Sequence, residues 1–284
     1  MINVSIIGVG LIGGSLGLAL RNKGYRVTGV GRNLSRLKAA KALGAADFVT
    51  TDLKTGTEKA DIVVICLPVN LTAKTVKDIA PFLKPGAVIT DAGSTKEEVL
   101  KGVSSVVRRP GGKIFFVGGH PLAGSEKSGV SAAKADLFRG ASVVISGTKG
   151  VPRDKAGLVE NMWKKAGAVI VRMEAAEHDR AVSATSHLPH IIAFCECLLV
   201  NDLDRKDGRV KRLLAGSFKD MTRIADSNPA DWAVICSSNR RELSNSLEAF
   251  IKRLKEAKKN LGNSGKLEKM FSRAKTARQK LLNI

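Results

Sequence analysis

The chain has 284 residues, 44% of them apolar and 26% charged, a balance that excludes a disordered or fibrous protein and is long enough for two domains with cores of their own. No uninterrupted run of about eighteen apolar residues and no basic leader is found, and Cys66, Cys195, Cys197 and Cys236 make neither a CxxC pair nor a disulfide framework; reduced thiols, a cytoplasmic location and no membrane partner are expected. The formal charge of +21 attracts nucleic acids, phosphorylated cofactors and dicarboxylates alike, so it excludes none of them.

In chain order, the first half alternates short β-branched runs with helical stretches, the pattern of βα units on a parallel sheet. Strands are predicted at 4–7, 26–30, 62–65, 87–91, 113–117, 142–145 and 168–172, separated by turn signals such as Gly24, Pro68, Lys84-Pro85-Gly86 and Arg109-Pro110-Gly111-Gly112. After about Met173 the β-branched runs stop and helices follow, with polar breaks expected at 201–208, 227–229 and 262–265. The expectation is therefore an α/β, Rossmann-type, mainly parallel sheet domain over 1–172 and an all-helical domain over 173–284. Leu243, Leu247, Phe250, Ile251 and Leu254, then Leu267, Met270, Phe271, Ala274, Ala277 and Leu281, fall at helical spacing; this stripe is either core within the chain or a dimer interface.

The first strand runs into Gly8-Val9-Gly10-Leu11-Ile12-Gly13 and then an apolar helix. In such a turn the first glycine allows the tight bend, the second lets backbone approach a pyrophosphate, and the third lets helix and strand pack closely. The helix N-terminus adds free N–H groups and a positive dipole end. Leu11 and Ile12 in this loop, and Leu67 and Pro68 after the third predicted strand, are expected to line the same dinucleotide. The second strand leads into Gly29-Val30-Gly31-Arg32-Asn33 and holds no carboxylate for ribose hydroxyls. Arg32 and Asn33, with Arg36 one turn later, are placed instead to grip a 2′-phosphate, so NADP is expected over NAD, which stays possible; the plainer alternative is that Arg32 is a surface residue.

Asp91-Ala92-Gly93-Ser94-Thr95-Lys96 follows the fourth predicted strand, at the carboxyl end of the sheet where ligands bind. Ser94 is suited to hydrogen-bond a substrate hydroxyl or the nicotinamide, and Ser94 or Thr95 equally to cap a helix starting at Lys96. In Gly118-Gly119-His120-Pro121 the glycines and proline point to an exposed, closely approached loop, and the imidazole of His120 suits removal of an alcohol proton as hydride leaves. His187 and His190 are three apart on one helical face, with no third ligand to make a metal site. His178 reads as a helix-start residue. Arg223 can clamp a carboxylate or pair with Asp220 on its own helix; spacing leaves the two tied.

Taken together, GxGLIGGSLG at 8–17, DxxSxK at 91–96, GGHPLAGSEKSG at 118–129, LFRGA at 137–141, EHDRAV at 177–182, SHLPH at 186–190 and FKDMTRIADSNPADW at 218–232 resemble the prephenate/arogenate dehydrogenases of tyrosine biosynthesis, collinearly to about Glu248. The resemblance implies oxidative decarboxylation of prephenate or arogenate with a nicotinamide cofactor, and a homodimer through the helical domain. By position it makes His120 the catalytic histidine, Ser94 its partner at the substrate hydroxyl and Arg223 the carboxylate arginine, with His187, His190, Glu126, Asp220 and Trp232 lining or gating the pocket. Two rivals remain. A 3-hydroxyacid or 6-phosphogluconate-type dehydrogenase shares the two-domain plan but relies on a helical-domain lysine. A nucleic-acid-binding protein is motivated by the tail from Lys252, where eleven Lys or Arg face only Glu256 and Glu268, but aromatics are 4% and no aromatic-interleaved basic motif occurs.

Overall fold

In the computed structural model, which describes residues 1–107, 114–125 and 127–282, the chain runs β1 (Ile2–Ile7), α1 (Leu11–Leu20), β2 (Tyr25–Val30), α2 (Leu34–Ala42), β3 (Phe48–Thr50), α3 (Leu53–Thr57), β4 (Ile62–Ile65), α4 (Val69–Ile79), β5 (Val88–Asp91), α5 (Glu97–Val107), β6 (Phe115–Pro121), β7 (Ser142–Ser146), α6 (Arg153–Lys165) and β8 (Val169–Arg172). Helices only follow: α7 (Ala175–Val182), α8 (Leu188–Asp207), α9 (Gly216–Thr222), α10 (Pro229–Ser238), α11 (Arg240–Lys259) and α12 (Ser264–Leu282). The three-residue β3 is the strand the sequence does not announce, because an edge strand that short carries no period to read.

The strands form one sheet in the order β3-β2-β1-β4-β5-β6-β7-β8, parallel throughout except where β7 runs antiparallel to β6. Strand order reverses between β1 and β4, so the crevice beyond their carboxyl ends is the place where such sheets bind ligands. Alternation along each strand feeds two apolar layers. Val4, Ile6, Ile62 and Val64 pack with Leu16, Leu20, Met162 and Trp163 on one face; Ile7, Val63, Ile65 and Ile89 pack with Val76, Ile79, Val99 and Val103 on the other. Helix α1 lies so close to the chain that a Cβ on Gly17 would sit 1.8 Å from the carbonyl oxygen of Ala45. Gly17→Ala is therefore expected to cost about 1–3 kcal/mol and lower Tm by roughly 3–10 °C, read by circular dichroism; an unchanged Tm would mean that α1 shifts at no cost.

Two expectations are corrected here. His120 does not sit in an exposed loop: β6 continues through Pro121 and pairs His120 with Val144 of β7, leaving His120 only 8% exposed. The glycines before it serve this close packing, since a Cβ on Gly119 would meet the carbonyl oxygen of Asp91 at 2.5 Å. The polar stretch 201–208 does not break the helix, because α8 runs to Asp207 with its charged residues in solvent and stops where Gly208 turns left-handed at φ +70°.

Among the described residues after Met173 the buried apolar side chains are Val182, Leu188, Ala193 and Leu243, too few to hold a helical domain together unaided. The C-terminal stripe splits. Leu243 is core, whereas Ile251, Leu254, Phe271 and Leu281 are exposed, as are Leu198, Leu199 and Leu203 on α8. The continuous helical run Ala175–Asp207 has a window of mean hydropathy 1.2, long and apolar enough by composition to cross a membrane, although only 28% of that window is buried. Within it Ser183 and His187 are buried and hydrogen-bonded inside the bundle, which is the behaviour of a bundle helix.

Candidate active site

The sheet presents Asp91 at the end of β5 and His120 on the neighbouring β6. Asp91 and Lys96 are both fully buried and form an ion pair. Asp91 also accepts hydrogen bonds from Gly93 N at 3.0 Å and Gly119 N at 3.1 Å, so the pair is neutral overall and ties the turn after β5 to the His120 strand. Ser94 sits half-buried in that turn.

The helical half closes on the same place. His178, fully buried on α7, brings Nε2 to 2.7 Å from His120 Nδ1. Its own Nδ1 is 2.7 Å from Asp179 Oδ1. Asp179 in turn accepts from Lys96 N at 2.8 Å and Glu97 N at 2.9 Å, so the cap of α5 comes from the helical domain and not from Ser94 or Thr95; Thr95 Oγ1 bonds Ser238 Oγ instead, at 3.0 Å. Burial favours a neutral Asp179, but the bonds from His178, Glu97 and Lys96 outweigh it and hold the carboxyl below its ordinary range. For His120 burial dominates, and His178, Lys96 and His187 add to it, holding the imidazole well below its usual value and hence neutral.

His187 closes a five-residue π turn, Ser183–His187, between α7 and α8, an irregularity frequent at functional sites. Asn239 Nδ2 donates to His187 Nδ1 at 3.1 Å and to the carbonyl of Asp179 at 2.7 Å. That leaves His187 Nε2 as a buried donor with no protein partner among the described residues. Burial, reinforced by His178 and His190 against the pull of Asp179, pushes His187 down to about 4. Trp232 on α10 lies edge-on to His187 at 6.0 Å and stacks on His190 at 3.4 Å between ring centroids. Burial lowers His190 too, and the positive charge of Arg223 adds to it.

His187, Trp232 and His190 thus pack in series, with the charge of Arg223 felt at His190 and that of His187 at His120. Arg223 is exposed and, with Phe194, Phe218 and Thr222, lines a cavity of about 570 Å³ between α8 and α9. Asp220 lies exposed on α9, and Glu126 lies outside the described residues. His178, Asp179, Asn239 and the Asp91–Lys96 pair are the residues that sequence reasoning missed. The signal available was local: EHD at 177–179 and DxxSxK were visible as motifs, but not their meeting.

At the switch-point crevice the three glycines behave as a dinucleotide needs. Gly8 has φ +96°, and a Cβ there would lie 2.4 Å from the carbonyl oxygen of Cys66; a Cβ on Gly13 would lie 2.3 Å from the carbonyl oxygen of Gly8; a Cβ on Gly10 would meet nothing within 4 Å. Two glycines are demanded by packing and the third leaves open space at the N-terminus of α1, where a pyrophosphate fits. Leu11 and Ile12 open α1. Leu67 and Pro68 follow β4 on the other side of the crevice, Leu67 reaching within 2.9 Å of a Cβ built on Gly8. Arg32, Asn33 and Arg36 are exposed beyond β2, and Asn33 caps α2 by accepting from Arg36 N at 2.9 Å. Among the described residues no group of His, Cys, Asp and Glu could hold a metal ion.

Comparison with known proteins decides the family. The prephenate dehydrogenase nucleotide-binding domain model matches residues 16–172, and the prephenate dehydrogenase dimerization domain model matches 174–275. The chain belongs to the prephenate dehydrogenase family. Prephenate dehydrogenase of Lactococcus lactis is 34% identical over 283 residues, 98% of this chain and 77% of the relative. Cyclohexadienyl dehydrogenase of Zymomonas mobilis is 34% identical over 257 residues, 89% of this chain and 86% of the relative. The crystal structure of the A. aeolicus prephenate dehydrogenase with hydroxyphenyl propionate and NAD+ superposes with a TM-score of 0.90 at 30% identity, covering 99% of this chain and 98% of that one. This member of the family is an oxidoreductase with a nicotinamide-binding sheet domain and a helical dimerization domain.

Proposed function

We propose that this dehydrogenase oxidatively decarboxylates prephenate or arogenate, with His120 taking the proton of the ring hydroxyl. The observation that carries the reading is a neutral, buried imidazole where the two halves meet, hydrogen-bonded across them to His178, with His187 and His190 packed on Trp232 in the helical half. Ser94 and His187 Nε2 supply hydrogen bonds to the substrate, Arg223 takes its side-chain carboxylate, and His190, Trp232 and Asp220 bound the pocket. The bound nicotinamide supplies the hydride acceptor, and loss of the ring carboxylate as CO2 aromatises the product. Residues 1–172 hold the cofactor and 173–284 complete the site. Absorbance at 340 nm with each of prephenate and arogenate against each of NAD and NADP tests the assignment; no reduction with either substrate would refute it.

NADP is the preferred cofactor on this reading. The segment after β2 carries no carboxylate, and Arg32 and Arg36 stand exposed on either side of the capped start of α2. Arg32→Ala should raise KM for NADP about 10- to 100-fold, the worth of a charge-assisted pair to phosphate, and change KM for NAD little. A wild-type KM for NAD at or below that for NADP would overturn the preference.

The working form is a homodimer joined through α8, α11 and α12. The support is the row of exposed apolar side chains on them and the small core of the helical half, since large exposed apolar patches mark interfaces. Light scattering should give twice the 30.2 kDa chain mass; a monomer at micromolar concentration would dismiss this. A cytoplasmic location fits the reduced cysteines. The basic tail then needs no nucleic-acid partner.

A further inference from the structure

We infer that Asp179 and His178 are positioning residues that fix which nitrogen of His120 takes the proton, making Nε2 the acceptor by holding the hydrogen on Nδ1. This rests on the reading of His120 as the base, and deepens it.

Asp179 receives two backbone N–H groups, from Lys96 and Glu97, and its ionised carboxylate can only accept. The hydrogen between Asp179 Oδ1 and His178 Nδ1, 2.7 Å apart, therefore belongs to His178 Nδ1. With its one ring hydrogen on Nδ1, His178 has a bare Nε2, which can only accept. His120 Nδ1, 2.7 Å from it, must be the donor. The neutral His120 ring is left with its lone pair on Nε2, for which no protein hydrogen bond is seen among the described residues. When the substrate O–H bond breaks, the new N–H bond forms at Nε2, and the positive charge on the ring lies two hydrogen bonds from the Asp179 carboxylate.

The arrangement does one thing more. Asp179 belongs to α7, whereas the amides it caps open α5 of the sheet domain. The residue that selects the tautomer thereby also ties the helical half to the turn bearing Ser94. Asn239 donates to the Asp179 carbonyl at 2.7 Å and keeps this helix turn in register. His178, Asp179 and Asn239 are all at most 4% exposed, so water does not compete for these bonds.

The test reads the tautomer directly. The chain has four histidines, so ¹⁵N-histidine labelling of the full-length protein gives a spectrum assignable by single substitutions. In the wild type, His120 and His178 should both carry hydrogen on Nδ1. His178→Leu removes the acceptor and leaves the α5 cap intact; His120 should then move to the Nε2–H form, and kcat should fall at least about a hundredfold with KM changed little, the signature of a misplaced proton. His178→Gln, whose amide oxygen can accept from His120 Nδ1, should restore the Nδ1–H form and recover activity relative to His178→Leu. Asp179→Ala removes the acceptor that holds hydrogen on His178 Nδ1, so His120 should lose its preference for the Nδ1–H form, with a lower Tm from the lost cap. An Nε2–H wild-type His120, or a His178→Leu variant within about threefold of wild-type kcat, would overturn the inference. If His120→Asn leaves kcat intact, it is the base assignment itself that fails.

Discussion

His120→Asn should reduce kcat by roughly a hundredfold or more, the scale of a lost general base, while cofactor affinity measured by fluorescence titration stays within about twofold. The two effects separate because His120 lies on β6 beside the Asp91 turn, whereas the glycine loop proposed to receive the dinucleotide follows β1. Asparagine is the suitable replacement: its amide nearly matches the volume and can donate to His178 Nε2, so the neighbouring bonds survive while the proton acceptor is gone. The pH profile gives an independent check. Burial first, then His178, Lys96 and His187, lower the pKa of His120 below its ordinary 6.5. A lowered pKa means that the ring is still neutral as pH falls through 6.5, so kcat/KM should hold steady there and fall only at distinctly lower pH. An acid limb centred at 6.5 or above would contradict this environment, and unchanged kcat in His120→Asn would place the base elsewhere.

Arg223→Ala should raise KM for the cyclohexadienyl substrate about 10- to 100-fold, with kcat changed much less. The interaction removed is carboxylate binding, present in ground state and transition state alike, and such uniform binding appears in KM. Its magnitude is that of a charge-assisted hydrogen bond, about 1.5–3 kcal/mol. His190 offers a second readout. The Arg223 charge is one of the contributions that lower His190, behind burial, so its pKa should rise in the variant, visible in the same histidine spectra. Equal losses in kcat and kcat/KM would mean that Arg223 acts on the reacting centre. No change in KM would return it to a surface residue of α9 and the turn after it.

The sheet domain was readable because its signals are local. A strand, a glycine turn and a helix succeed one another within the first twenty residues, and the short β-branched runs of β1 and β4 announce a parallel sheet. The Gly118-Gly119-His120 motif was readable as a site, yet its reading as an exposed loop failed: glycines before a histidine mark close approach, and here what approaches is the Asp91 turn and β7. The helical half was readable as helices and little more. A polar stretch such as 201–208 looks like a break, but an exposed helix end tolerates charge, and a single left-handed glycine at its close decides where it stops.

What the sequence by itself determined is the chemistry available: a dinucleotide loop without an acidic partner after β2, a histidine and a serine at the carboxyl end of a parallel sheet, an arginine and three further histidines in the helical half. Only the tertiary structure decided how these groups act on one another. His120 and His178 are 58 residues apart, and Lys96 and Asp179 are 83 apart. The pKa of His120 is lowered by burial and charges that exist only once the helical domain has closed on the sheet. Local spacing records which side chains a chain carries; dielectric, desolvation and hydrogen-bond direction belong to the folded interior.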